Sequence, residues 1–239
     1  MSAEQIVDST LHVSGRKMKS ERLTLDNDGK RLPNVFLNLG YPRKAWEFTG
    51  LSNDRDRPAL SMPRTQEIVD FMKIFGWRET RQNPISERDQ SPNSLQPASM
   101  ANSQFINART ITVTNDSEWM RIALESNTVQ ELVKKLYIQI LTRYPNEEEK
   151  GVIGSLLAEG FEQRILTRDI PDPQTTFDPS SLLSWSNHLN AKATDIKLEV
   201  EKRAQRGDPP TEILQSHWRE NYEDVIWSLI NSIEFIFLP

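Results

Sequence analysis

From Thr128 onward apolar residues recur at intervals of three and four, a spacing that only an α-helix turns into one buried face. Val129, Leu132, Val133, Leu136, Tyr137, Ile140 and Leu141 form this stripe. Thr128 with Glu131 supplies a capping box at its start, and Pro145 stops it. Asn146 followed by Glu147, Glu148 and Glu149 then gives a cap and an acidic first turn, which suits the positive end of a helix dipole, so a second helix is predicted to run to about Arg164. Pro171, Pro173 and Pro179 mark a loop. A third helix is expected from about Ser181 to Arg206, broken by Gly207-Asp208-Pro209-Pro210. The last is expected from Thr211 to about Phe235, burying Trp218, Tyr222, Val225, Ile226, Leu229 and Ile233.

The first half is less regular. Residues 3–13 read as a short amphipathic helix with Ile6, Val7, Thr10 and Leu11 on one side. A lone three-turn helix is marginal in water, so it either docks on the rest of the chain or continues a helix from upstream sequence. Residues 14–62 carry Gly15, Gly29, Pro33, Gly40, Pro42, Gly50 and Pro58, which predicts ordered but irregular chain with an extended piece at Val35–Leu39. Pro63 opens a helix with Ile68, Val69, Met72 and Phe75 on one stripe, and Gly76 stops it. A polar stretch from Arg78 to Pro92 leads into a helix predicted from Asn93 to about Arg109. Ile111–Thr114 is the best strand candidate in a chain nearly devoid of strand patterns. The fold class is therefore all-α, an irregular loop-rich N-terminal third packed on a helical C-terminal body. One domain over 1–239 is expected, with 1–110 loop-rich with short helices and 111–239 helical.

Composition narrows the function. The net charge is −5, with 29 basic and 34 acidic groups, whereas nucleic-acid binding needs a concentrated basic face, so no nucleic-acid partner is expected. Charge divides unevenly, residues 1–90 carrying 15 basic and 13 acidic groups. No apolar run reaches the ~20 residues of a bilayer span, and the first residues lack the basic and apolar regions of a signal peptide, so no membrane insertion is expected. Cysteine is absent, which excludes disulfides, thiolate metal sites and covalent c-type haem within this chain. No cofactor is expected in it.

Catalytic constellations are missing from the sequence. His12, His188 and His217 share no metal-ligand spacing, there is no Gly-x-Ser-x-Gly to anchor a triad, and nine scattered glycines make no phosphate cradle. Asp26-Asn27-Asp28-Gly29 resembles the start of a calcium loop, but Lys30-Arg31 follow where further carboxylates would help. No catalytic or metal residue is assigned. What stands out is polar density in two irregular segments, Leu51-Ser52-Asn53-Asp54-Arg55-Asp56-Arg57-Pro58 and Glu87-Arg88-Asp89-Gln90-Ser91-Pro92-Asn93-Ser94-Leu95-Gln96 continuing to Asn102. Such acids, guanidiniums and amides either brace loops that lack a backbone ladder or line a polar pocket. In a pocket, Asn53, Asp54, Arg55, Asp56, Arg57, Asp89, Ser91, Asn93, Gln96 and Asn102 would suit a hydroxyl-rich ligand, with Trp46 or Trp77 as a stacking face.

The same segments carry a family resemblance. Leu37-Asn38-Leu39-Gly40-Tyr41-Pro42-Arg43-Lys44-Ala45-Trp46, then Leu51–Pro58, then Phe75-Gly76-Trp77-Arg78 resemble the planctomycete-type C-terminal domain of unknown function 1553. Ser91–Pro97 with Ala101-Asn102 is similar to that family's central motif. Leu141-Thr142-Arg143-Tyr144-Pro145 with Glu149 is similar to its helix junction, although Thr142 stands where glycine is usual, and Trp227–Phe235 also fits. The resemblance implies the C-terminal part of a large exported bacterial protein in the periplasm or cell envelope, with upstream domains of the same polypeptide as partners. It implies no catalytic residue. The expected role is a non-catalytic structural or ligand-recognition module, in contact with a haem domain or a carbohydrate. The alternative is a polysaccharide-acting hydrolase whose carboxylate pair, drawn from Asp54, Asp56, Glu87 and Asp89, would stand about 5–10 Å apart.

Overall fold

The computed structural model describes residues 1–20, 23–24, 38–40, 43–48, 63–77, 91, 93–166, 189 and 191–236. Helix α1 spans Ala3–Val13 and begins with a capping box, in which the Ser2 side chain accepts from the Gln5 amide and Gln5 accepts from the Ser2 amide. Its buried face, including Ala3, Ile6, Val7 and Leu11, packs on a 3₁₀ turn at Ala45–Phe48 and on α2, Pro63–Ile74. Helix α1 thus docks on the rest of the chain. Between α1 and α2 lies a short antiparallel pair, β1 at Leu23–Thr24 and β2 at Asn38–Gly40, irregular in register. Gly76, at φ +79°, ends α2 as the sequence predicts.

The single helix predicted from Asn93 to Arg109 is instead three pieces. Helix α3 covers Leu95–Asn102, α4 is one turn at Gln104–Ile106, and a π turn follows at Asn107–Ile111. Ser103 causes the break: its extended backbone ends α3, and its hydroxyl accepts from the Ile106 amide to open the next turn. Ile111–Thr114 is not a strand. The Thr112 amide closes the π turn on the Asn107 carbonyl, and the Thr114 amide turns back to the Ser117 hydroxyl.

Helix α5, Glu118–Glu125, was not foreseen and buries Trp119, Met120, Ile122 and Ala123. Helix α6 spans Val129–Leu141, with the expected stripe buried except for the half-buried Val129, and α7 spans Glu147–Ala158. Helix α7 stops short of Arg164 because Gly160, at φ +74°, opens a 3₁₀ turn at Phe161–Gln163. Helix α8 spans Ala193–Arg206 and ends where the sequence predicts, but residues 189, 191 and 192 are turn, so among the described residues the third helix begins at Ala193. The last helix begins at Ser216, not Thr211, because residues before it run alongside 164–166. The Leu166 amide bonds the Ile213 carbonyl at 2.8 Å and the Gln215 amide bonds the Arg164 carbonyl at 2.8 Å. It ends as α9 at Ile230, and the turn before α10, Ile233–Ile236, reorients the chain. Ile233 is consequently exposed, against expectation, while Phe235 is buried.

The fold is all-α, with the short β pair as a minor addition. One apolar cluster runs from α1 to α10, and Trp119, Trp218 and Tyr222 are its largest fully buried side chains. Helix α9 packs against α6 and α7, and α8 against α2. Gly207 lies so close to the π turn that a Cβ there would stand 2.5 Å from the Ala108 Cβ.

Candidate functional site

The C-terminal end of a helix leaves carbonyls without intrahelical partners. At the end of α2 the Ile74 carbonyl accepts from Asn93 Nδ2 at 3.3 Å and from Gln96 Nε2 at 3.4 Å. Asn93 Oδ1 meanwhile accepts from the Leu95 and Gln96 amides at 2.8 and 3.2 Å, starting α3. These two amides therefore splice α2 to α3. Beside them opens a polar recess of about 210 Å³, lined by Lys73, Gly76, Trp77, Ser91, Asn93 and Gln96. Trp77 is only 4% exposed, and its Nε1 has no hydrogen-bond partner among the described residues. A buried indole N–H without an acceptor is uncommon. The described lining holds amides, a hydroxyl and an ammonium but no carboxylate, so it can hydrogen-bond a neutral polar molecule and offers no acid–base pair.

Four of the residues singled out in the sequence, Trp77, Ser91, Asn93 and Gln96, thus share one recess. Asn102 does not join them: exposed on α3, it donates to the Ala98 carbonyl of its own helix at 3.1 Å. Trp46 lies in the 3₁₀ turn at Ala45–Phe48, and its side chain falls outside the description. Asn53, Asp54, Arg55, Asp56, Arg57, Glu87 and Asp89 lie outside the described residues, as do Asp26–Asp28 and His188. His12 and His217 are exposed on α1 and α9. Among the described residues no three His, Cys, Asp or Glu are grouped so as to hold a metal ion, and no helix is long and apolar enough to cross a membrane.

Sequence reasoning looked for guanidiniums beside neighbouring acids, whereas the buried ones act over long separations. Arg16, with 2% of its side chain exposed, joins Thr114, Asp116 and Asp208. Burial alone would raise the Asp116 carboxyl, but the Thr114 hydroxyl and the charges of Arg16 and Lys19 hold it below its ordinary value. Arg109 forks onto Glu67 at 2.7–3.1 Å and donates to the Ala204 carbonyl at 3.1 Å, where Gln104 also bonds the end of α8. Arg164 meets no carboxylate among the described residues. It donates to the carbonyls of Ala123, Ser126 and Phe161 at 2.6–3.0 Å, which ties the end of α5 to the 3₁₀ turn, and its guanidinium stacks 3.8 Å over the Phe161 ring. Arg143 grips Glu149 at 2.7 and 2.9 Å and Glu234 at 2.5 and 2.8 Å. It thereby pins α10 to the α6–α7 corner and holds the Glu149 carboxyl down at about 2. Burial, with the charge of Glu149 adding to it, pushes the nearby Tyr137 phenol up to about 12. Burial also raises Glu223, which accepts from the Val113 amide at 2.8 Å.

Fold and site together define a helical module in which several polar side chains are turned inward onto main chain, with a polar recess at the α2–α3 splice. The chain belongs to the family described as protein of unknown function (DUF1553), whose profile matches residues 1–157. That match takes in the recess and stops within α7, so the Trp227–Phe235 ending lies beyond it. No curated protein and no solved structure matches the chain.

Proposed function

We propose that this chain is a single-domain, non-catalytic structural and ligand-recognition module of a larger exported bacterial protein, held in the periplasm or cell envelope. Its partners are the upstream domains of the same polypeptide, a haem domain among them, and its ligand is a hydroxyl-rich carbohydrate. One observation carries the recognition part: the Trp77 indole N–H, without a partner among the described residues, beside a recess of amides and a hydroxyl. The structural part is supported by side chains committed to main-chain carbonyls, Asn93 and Gln96 at Ile74 and Arg164 at Ala123, Ser126 and Phe161. Placement outside the cell and the upstream partners are supported by the resemblance of the early motifs to planctomycete-type members.

A glycan array probed with the purified chain, alongside the Trp77→Phe variant, tests the recognition half. Binding to a neutral oligosaccharide that weakens by about tenfold on loss of the indole N–H is the expected result, since one hydrogen bond in a desolvated site is worth about 1 kcal/mol or more. Equal binding by the variant, or none by the parent, would remove the recess from consideration. Pull-down with the upstream domains tests the other half, with specific retention expected.

A further inference from the structure

The early basic excess has a destination in the fold. Where α1 ends, a cavity of about 580 Å³ opens between the chain at 16–18 and the residues leading into the 3₁₀ turn at Ala45–Phe48. That volume lies within the roughly 300–1,000 Å³ usual for small-molecule sites. Leu11 and Met18 give it apolar wall. Its rim carries Lys17, Arg43 and Lys44, all exposed and without an ion pair among the described residues.

The opposing charges are already engaged. Asp8 is the cavity's one acidic residue among those described, and its Oδ1 accepts from the Ala45 amide at 2.9 Å. Arg16 closes the inner side, but Asp116 and Asp208 neutralise it. Beside the rim the Glu47 carboxylate is likewise engaged, accepting from the Arg43 amide at 2.5 Å. Three cations thus face one carboxylate across a partly apolar hollow, and such a cleft focuses positive potential inward. Guanidinium and ammonium heads recognise oxyanions best.

We propose that this cavity binds a small organic anion, with an oxyanion head held by Lys17, Arg43 and Lys44 and an apolar body against Leu11 and Met18. The site is separate from the Trp77 recess and stands whether or not that recess takes a carbohydrate. Carboxylate, sulfate and phosphate heads share the chemistry, and the experiment separates them.

Isothermal titration of the full chain with benzoate, phenyl sulfate and phenyl phosphate, with benzyl alcohol and inorganic sulfate and phosphate as controls, is the test. One site is expected, with the tightest aryl anion naming the head group and benzyl alcohol at least about tenfold weaker, because a charge-assisted hydrogen bond is roughly twice as strong as a neutral one. The triple variant Lys17→Gln, Arg43→Gln, Lys44→Gln should lose about tenfold or more by the same measure. The Arg43→Lys, Lys44→Arg double variant should keep most of the affinity, and Lys150→Gln with Lys197→Gln, on α7 and α8, should match the parent. All three substituted rim side chains are exposed, so the melting curve should not move. Benzyl alcohol or the inorganic ions binding as tightly as the aryl anions, the triple variant binding like the parent, or no binding at all would overturn the proposal.

Discussion

The body built on α6, α7 and α9 and the region around α2, α3 and the π turn are held together by different chemistry. In the first, apolar stripes meet: Leu136 and Ile140 of α6 and Trp218, Tyr222 and Ile226 of α9 are all buried in the common core, with Trp218 stacked 5.0 Å from Tyr222. In the second, α2 buries an apolar face of its own, but the short pieces after it, α3, α4 and the π turn, are tied in by side chains that satisfy main-chain carbonyls, as Asn93 and Gln96 do at Ile74 and Gln104 and Arg109 do at Ala204. Length explains the contrast. Helices of 13 and 15 residues offer several turns of apolar face, whereas α3 and α4 offer too few, so their ends must be tied individually.

The contrast can be broken most forcefully in the apolar body. Trp218→Ala removes a fully buried ring and its 3.1 Å bond to the Leu157 carbonyl, and should cost about 3–5 kcal/mol in urea unfolding. Arg164→Met tests the junction where the two kinds of chemistry meet. It removes the guanidinium from the Ala123 and Ser126 carbonyls, while the Phe161 carbonyl keeps its bond from the Arg164 amide, so a loss of about 3 kcal/mol is expected, and a neutral result would show that water or repacking replaces the guanidinium. Next comes acid. Glu149 titrates at about 2 in the folded chain against 4.5 ordinarily, so the unfolded chain binds more protons in that window. The pair's contribution is therefore complete above pH 4.5 and is lost as the pH falls toward about 2. Glu149→Gln should flatten the decline of the melting temperature over that interval. The smallest effect belongs to the α2–α3 splice: Asn93→Ala with Gln96→Ala should cost only about 1 kcal/mol, because both groups are near solvent.

Helices α1, α2, α6 and α7 were legible in the sequence because each announces itself locally. Pro63 and Gly76 bracket α2, and Thr128 and Asn146 each place a cap beside an apolar period. Helix α5 was overlooked although Ser117 caps it and Trp119, Ile122 and Ala123 share its inner face; at eight residues it is short, and the preceding Ile111-Thr112-Val113-Thr114 reads as strand. The start of α9 could not be placed because 211–215 pairs with 164–166, a contact across some fifty residues that no local pattern signals. Of the site, the gathering of Trp77 with Ser91, Asn93 and Gln96 follows from motifs that adjoin the two ends being joined. The basic cavity showed in the sequence only as an excess of charge over residues 1–90, since Lys17 and the Arg43-Lys44 pair meet through tertiary packing.

Arg16 reaches Asp116 and Asp208 across separations of 100 and 192 residues. A bond network of that span cannot assist the early, local steps of folding, because closing such long loops loses much chain entropy before any contact compensates. The stretch after α1 should therefore lock last, once α8 has arrived to deliver Asp208. In pulse-labelling hydrogen exchange, the Leu136 and Ile140 amides should gain protection well before the Glu118 amide, which bonds the Ser14 carbonyl at 2.9 Å just after α1.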